Sequence, residues 1–84
     1  MRHMTRRLVQ AGNTVVPAIL AIESLGFEVA AAGDGLIAHR GDEEYVADDP
    51  VALLGLIRLV ELRSWTWYAS DQEIDLTLRR FGWH

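Results

Sequence analysis

The chain has 84 residues and a formal net charge of −4, half of its residues are hydrophobic, and it contains neither cysteine nor lysine. This composition is typical of one small globular domain, and it excludes disulfides, cysteine nucleophiles, Schiff-base lysines and phosphate-loop lysines. Residues 1–22 carry three arginines and no acid, whereas residues 23–50 carry eight acids and one arginine, so a basic protein partner is favoured over a broad phosphate-binding face.

Residues 1–12 are basic and end in a glycine, which indicates an N-terminal arm ahead of a single domain formed by residues 13–84. The His-Met pair near the start is typical of a cloning remnant, so His3 receives no functional weight. Nucleic-acid binding through the arm is one alternative function. It would use three arginines: Arg2, Arg6 and Arg7.

Helix one is predicted over residues 14–25, where apolar side chains recur at helical spacing. Asn13 and Thr14 are residue types that cap helix N-termini. Pro17 falls in the first turn, where its missing N–H costs little, and Gly26 is a typical C-terminal stop.

Three short strands are predicted next, over residues 27–32, 36–40 and 44–47. The sequences GDG at 33–35 and GDE at 41–43 are turn signals, because glycine and aspartate tolerate positive φ. Strands joined by such tight turns form an antiparallel meander. Three side chains of the first strand are expected to face the helices: Phe27, Val29 and Ala31.

Helix two is predicted from residue 50 to about residue 63, because Asp49 suits the N-cap and Pro50 the first helical position. Only Arg58 and Glu61 make a polar side, and it is narrow, so the helix is either covered all round or meets a second copy of the chain. Gly55 suggests that something packs closely against it. A homodimer is therefore expected through the aromatic segment described next and four helix-two residues: Leu53, Leu56, Ile57 and Val60.

The aromatic segment consists of Trp65, Trp67 and Tyr68. Its side chains could fill the core, anchor a protein interface or stack on bases. Ser70 and Glu73 then form a capping-box signature, which predicts that helix three begins there and ends near residue 80. Helix three has one apolar stripe: Ile74, Leu78 and Phe81.

His39 is the one histidine placed within a predicted strand. Its cross-strand neighbour is expected to be Glu44 or Tyr45. Together with Glu44 or Asp42, His39 could act as a general base or as half of a metal site. A metal-assisted hydrolase or nuclease centred on His39 is therefore the second function hypothesis. No HxxxH or ExxH spacing accompanies this histidine, so no metal or cofactor is predicted.

An acidic edge is the leading candidate for a partner site, and it includes the pair just before helix two. For that pair the alternative explanation is a helix start, with Asp48 beside the positive end of the helix dipole. The leading hypothesis is a non-catalytic interaction protein that binds a basic partner, for example in an immunity or antitoxin role. Five residues form the acidic edge: Asp42, Glu43, Glu44, Asp48 and Asp49.

The order of the first five elements is shared by double-stranded-RNA-binding domains and by HicA-type toxins that cleave mRNA, and residues 25–29 resemble the helix-to-strand junction of the toxins. The toxins carry a histidine after the glycine of the first strand turn, where this chain reads GDGL at 33–36. The RNA-binding domains carry a lysine cluster where this chain reads DDP at 48–50. The resemblance implies a shared topology and no shared activity.

The sequence as a whole predicts an α+β domain with a three-stranded antiparallel meander, helices packed on one face, and the order α-β-β-β-α-α. The longest apolar run, residues 51–57, is too short to cross a bilayer. No signal peptide is recognisable at the start of the chain. A cytoplasmic location is expected, because the lack of cysteine fits a reducing compartment.

Overall fold

The structure, a computed structural model, describes residues 4–83 and confirms the α+β fold with the predicted order of elements. Arg2 and His3 of the predicted arm, and His84, lie outside the described residues. Residues 4–11 form no helix or strand. The elements are a 3₁₀ turn Gly12–Thr14, α1 Val15–Ser24, β1 Glu28–Ala32, β2 Gly35–Arg40, β3 Glu43–Ala47, α2 Pro50–Arg63 and α3 Asp71–Phe81.

The sheet is an antiparallel meander in the order β1-β2-β3, as predicted. Its register pairs Ala38 with Val29 on one side and with Tyr45 on the other. This row faces the helices, because Ala38 and Tyr45 are buried and Val29 is partly buried. Successive side chains of a strand point to opposite faces, so the row centred on His39 lies on the open face. Ala31 was expected on the helix side, but it is exposed.

The core lies between the sheet and the helices α1 and α2. Leu53 and Ile57 of α2 are 0% and 1% exposed and pack there with Ile22 of α1. These two α2 residues were predicted to form a dimer surface, and that prediction is wrong because the protomer's own sheet and α1 cover them. Among residues 4–83, seven hydrophobic residues are buried in this core: Ala18, Ile22, Phe27, Ala38, Tyr45, Leu53 and Ile57.

The helix starts agree with the sequence in two cases out of three. The Asp49 side chain accepts a hydrogen bond from the backbone N–H of Ala52 at 2.8 Å, so it caps α2. Ser70 and Glu73 form the complete capping box of α3. Thr14 does not cap α1, because its Oγ1 donates to the carbonyl of Ala11 instead and the chain enters the helix through the 3₁₀ turn.

Two glycine-to-alanine substitutions are expected to change stability in opposite directions. Gly55 lies on the exposed side of α2 with open space where a Cβ would stand, so no close neighbour within the protomer explains it. Gly55→Ala should raise the free energy of unfolding by about 1 kcal/mol through helix propensity. A Cβ at Gly35 would collide with the carbonyl oxygen of Ala47, so Gly35→Ala should destabilise the sheet.

Urea denaturation followed by circular dichroism measures both effects. The clash at Gly35 involves backbone atoms, which cannot rotate away as a side chain would. Equal shifts of the urea midpoint in the same direction would contradict the placement of these two glycines.

Candidate interaction surface

Helix α3 is built from local signals. In the capping box, Ser70 Oγ accepts from the N–H of Glu73 at 3.1 Å, and the Glu73 carboxylate accepts from the N–H of Ser70 at 2.8 Å. The hydrogen bond from the Ser70 backbone N–H holds the pKa of the Glu73 carboxyl below its ordinary value, and the Ser70 side chain acts in the same direction. At the other end, Gly82 is left-handed and the N–H of Trp83 reaches back to the carbonyl of Leu78, which closes the helix. The sequence therefore specifies both ends of α3 without help from the core.

The apolar stripe of α3 has no partner within the protomer. Over the whole described length of the helix no residue is buried. Ile74, Leu78 and Phe81 are 45%, 37% and 55% exposed. Trp83 continues the stripe, since its ring stacks on that of Phe81 with centroids 5.3 Å apart. The sequence pattern identified this stripe, but the predicted fold places the helices on one face of the sheet, so the exposure of α3 was not predicted.

The aromatic segment connects α2 to α3. Arg63 at the end of α2 holds it, because its Nε donates to the carbonyl of Trp67 at 3.0 Å and its guanidinium lies 3.8 Å from the Glu73 carboxylate. Trp65 stacks on Tyr45 with ring centroids 5.5 Å apart, and Trp67 stacks on Tyr68 at 4.1 Å. Arg63 thus ties the aromatic segment both to the end of α2 and to the start of α3.

All three aromatic side chains remain available for contact, with exposures of 54% for Trp65, 38% for Trp67 and 70% for Tyr68. Trp65 and Trp67 line a groove of about 240 Å³ beside β3 and α2. We call this exposed aromatic and apolar region the C-terminal apolar surface. It is formed by Trp65, Trp67, Tyr68, Ile74, Leu78, Phe81 and Trp83.

A second groove, of about 470 Å³, lies between the arm and the two packed helices. Leu8 of the arm forms one wall, and Pro17 and Ala18 of α1 face Val51 and Leu54 of α2. Leu8 itself is 87% exposed, so the arm covers little of this groove in the protomer.

Glu43 of the predicted acidic edge is engaged inside the protomer. Its carboxylate accepts from Arg40 Nε at 3.1 Å and Nη2 at 2.9 Å, and from the Tyr45 hydroxyl at 3.1 Å. The Arg40 guanidinium also donates to the carbonyl of Leu25 at 2.7 Å and lies 4.3 Å from the centre of the Phe27 ring. This network ties the end of α1 to the β2–β3 turn.

The network shifts two ionisations. The hydrogen bonds from Arg40 hold the pKa of Glu43 below its ordinary value of 4.5, and the Tyr45 hydroxyl acts in the same direction. Burial raises the pKa of Tyr45 above 10.0, and its hydrogen bond to Glu43 adds to that effect. Both shifts favour an ionised carboxylate beside a neutral phenol, which is the state that the hydrogen bonds require.

The thermal stability of the protein is expected to fall in acid partly because of Glu43. Folding lowers the pKa of this residue, so its carboxylate stabilises the fold at pH values above 4.5. That contribution is lost as the pH falls through the lower pKa of the folded state. Glu43→Gln should therefore flatten the decrease of Tm between about pH 5 and pH 2.

Differential scanning calorimetry across this pH range measures the effect. Tyr45→Phe removes only the weaker hydrogen bond and should flatten the profile less. A Glu43→Gln profile parallel to that of the parent would show that the carboxylate is not held by Arg40 in the folded state.

The predicted acidic edge is therefore not one surface. Asp49 is used as the α2 cap and Glu43 belongs to the Arg40 network. Asp42 lies in the β2–β3 turn, whereas Asp48 follows the opposite end of β3. Glu44 points to the open face. These residues are close together in the sequence, but β3 is an extended strand and therefore holds Asp42 at one end and Asp48 at the other.

His39 lies on the open face between two carboxylates. Its register partners are Glu44 on β3, as expected, and Glu28 on β1, which the sequence did not identify. His39 Nε2 is 3.4 Å from the Glu28 carboxylate, and the histidine side chain is half exposed. Neither His39 nor Glu28 lines either of the two grooves, whereas Glu44 lines the smaller one. Over residues 4–83 no cluster of three or more His, Asp or Glu side chains is arranged to hold a metal ion.

Comparison with known proteins gave no assignment: no family model, no curated protein and no solved structure matches this chain significantly. Among residues 4–83, no helix has the length and apolar character needed to cross a membrane.

Proposed function

We propose that this protein is a non-catalytic interaction domain that binds another polypeptide through the C-terminal apolar surface. The observation that supports it is the apolar stripe of α3, where Ile74, Leu78 and Phe81 are each more than one third exposed. Large apolar side chains that repeat along one side of a helix and remain exposed are typical of protein-binding sites. Trp83 extends the stripe by stacking on Phe81, and tryptophan and tyrosine are residue types enriched at binding hot spots.

Helix stability supports the same proposal. An isolated helix shorter than about 12–15 residues is marginal in water, and α3 has 11 residues with none buried. Its caps favour the helix locally. Because the stripe side chains are about half exposed, their full burial would contribute roughly 0.5–1.5 kcal/mol each. A binding partner would therefore supply the stabilisation that α3 lacks in the protomer.

Charge favours a basic polypeptide as the partner of the open sheet face. The chain has a net charge of −4, and Glu28 and Glu44 flank the middle of that face. Asp42 and Asp48 lie beyond the two ends of β3. Binding of a basic polypeptide to the open sheet face would suit an immunity or antitoxin role, in which a small acidic protein masks a cationic enzyme.

Site-specific photo-crosslinking tests the proposed contact surface. A photoreactive phenylalanine analogue is placed at Leu78, within the stripe, in cells that produce the chain. The matched control carries the analogue at Leu76, which is 56% exposed on the opposite side of α3. An adduct to a polypeptide is expected from position 78 and not from position 76. Absence of adducts from position 78, or equal adducts from both, would overturn the proposal.

The charge preference has a separate test. Once a polypeptide bound to the open face is identified, neutralising Asp42, Glu44 and Asp48 together should weaken its binding and reduce the salt dependence measured by calorimetry. Unchanged affinity and unchanged salt dependence would refute the role of the acidic residues.

A further inference from the structure

The protomer exposes more surface than a chain of its size normally does. Its accessible surface is 7118 Å², whereas a folded monomer of 9.4 kDa is expected to expose about 5,000 Å². Its radius of gyration is 16.0 Å, against about 12 Å for a compact chain of this length. Residues 4–11 and every residue of α3 are exposed, so both segments add to this surface.

Obligate dimers bury about 2,000–5,000 Å² in total, or about 1,000–2,500 Å² from each subunit. The excess of roughly 2,000 Å² per chain, to which the arm also contributes, is large enough to include such an interface. The exposed surface includes the whole of the amphipathic helix α3. A second copy of the chain is therefore an occupant of suitable size for the C-terminal apolar surface.

The charges of α3 define how two copies would pair. Asp71 lies in its first turn and Arg80 in its last turn. Glu73 and Arg79 lie in the same two turns but already have partners in the protomer, Glu73 with Arg63 and Arg79 with Asp75. Two parallel α3 helices would place like charges together, whereas two antiparallel helices place each acidic turn beside a basic turn. Antiparallel pairing also aligns the helix dipoles favourably. A homodimer with a two-fold axis uses the same patch from both copies and is compatible with this arrangement.

We infer that the C-terminal apolar surface binds a second copy of this chain, with the two α3 helices antiparallel and their two-fold axis near Thr77 and Leu78. In this arrangement Ile74 of one copy lies opposite Phe81 of the other. Trp83 of each copy is directed toward the aromatic segment of its partner. The inference rests on the proposed function, because it names the occupant of that same surface. The acidic open face of the sheet stays free for a different polypeptide.

Disulfide crosslinking tests the pairing, because the parent chain has no cysteine. Thr77→Cys places two thiols next to the two-fold axis, so oxidation should convert most of the protein to a covalent dimer. Asp71→Cys is the matched control on the same helix. In the antiparallel pair its two copies are about 20 Å apart along the axis, beyond the roughly 7 Å between Cα atoms that a disulfide tolerates. Crosslinking at position 71 instead of 77 would overturn the antiparallel arrangement.

Light scattering over a hundredfold concentration range measures the assembly itself. The parent chain is expected to have the mass of a dimer, Leu78→Glu the mass of a monomer, and Leu76→Glu the mass of the parent. A monomeric parent at every concentration would overturn the inference. If position 78 then photo-crosslinks to a different polypeptide, the proposed function stands without the homodimer. If it crosslinks to nothing, both fail.

Discussion

Leu53→Ala is expected to lower the free energy of unfolding by about 2–5 kcal/mol, because it removes a fully buried side chain and leaves a cavity. Leu53 is 0% exposed and packs with Ile22 and Ile57 between α2, α1 and the sheet. A domain of 84 residues has a total stability of roughly 4–13 kcal/mol. The substitution should therefore remove a large part of the stability and can leave the chain unfolded at 37 °C.

Leu62→Ala is the matched control, since Leu62 belongs to the same helix and is 69% exposed. A surface change of this kind is expected to stay within about 0.5 kcal/mol. Urea denaturation monitored by tryptophan fluorescence compares the two variants. If Leu53→Ala converted a dimer to a monomer in light scattering but left the urea midpoint of unfolding unchanged, Leu53 would belong to an interface between copies. The packing of α2 described above would then be wrong.

Tyr45→Ala is expected to cost about 3–5 kcal/mol, the range for removal of a large aromatic side chain from a core. The Tyr45 ring is 6% exposed, meets the edge of Phe27 at 5.7 Å and stacks on Trp65. Its loss should also free the indole of Trp65, so the tryptophan emission of the folded protein should shift toward the red.

Tyr45→Phe separates packing from hydrogen bonding. It keeps the ring and removes the hydroxyl that donates to Glu43, so a cost near 1 kcal/mol is expected and the emission should keep its parental maximum. Equal costs for Tyr45→Ala and Tyr45→Phe would show that the hydroxyl, rather than the ring, supports the β3 end of the core.

The sequence predicted those features that depend on neighbours along the chain. Asp49 before Pro50, and Ser70 three residues before Glu73, identify the starts of α2 and α3 because each cap is made within four residues. The GDG turn at 33–35 predicted the first hairpin in the same way. For His39 the sequence left two cross-strand neighbours open, Glu44 and Tyr45, and the register of the sheet selects Glu44.

Features that depend on the tertiary arrangement were not predicted. The apolar circumference of α2 suggested a dimer interface, but residue types do not reveal that α1 and β3 already cover Leu53 and Ile57. Likewise, Glu43 has the same side chain as Glu44, and only the fold brings Arg40 and Tyr45 within hydrogen-bond distance of it. For α3 the error has the opposite direction, since its apolar stripe is exposed instead of buried. An amphipathic sequence pattern is the same for a helix that packs on its own core and for one that stays exposed.

The separation of α3 from the core has an evolutionary consequence. The seven core residues lie before position 58, whereas no residue of α3 is buried. Selection for a stable protomer therefore acts on the core positions and, under the proposed function, selection for partner binding acts on α3. New specificities can arise through drift in the last turns of the chain while the meander and its two covering helices stay intact.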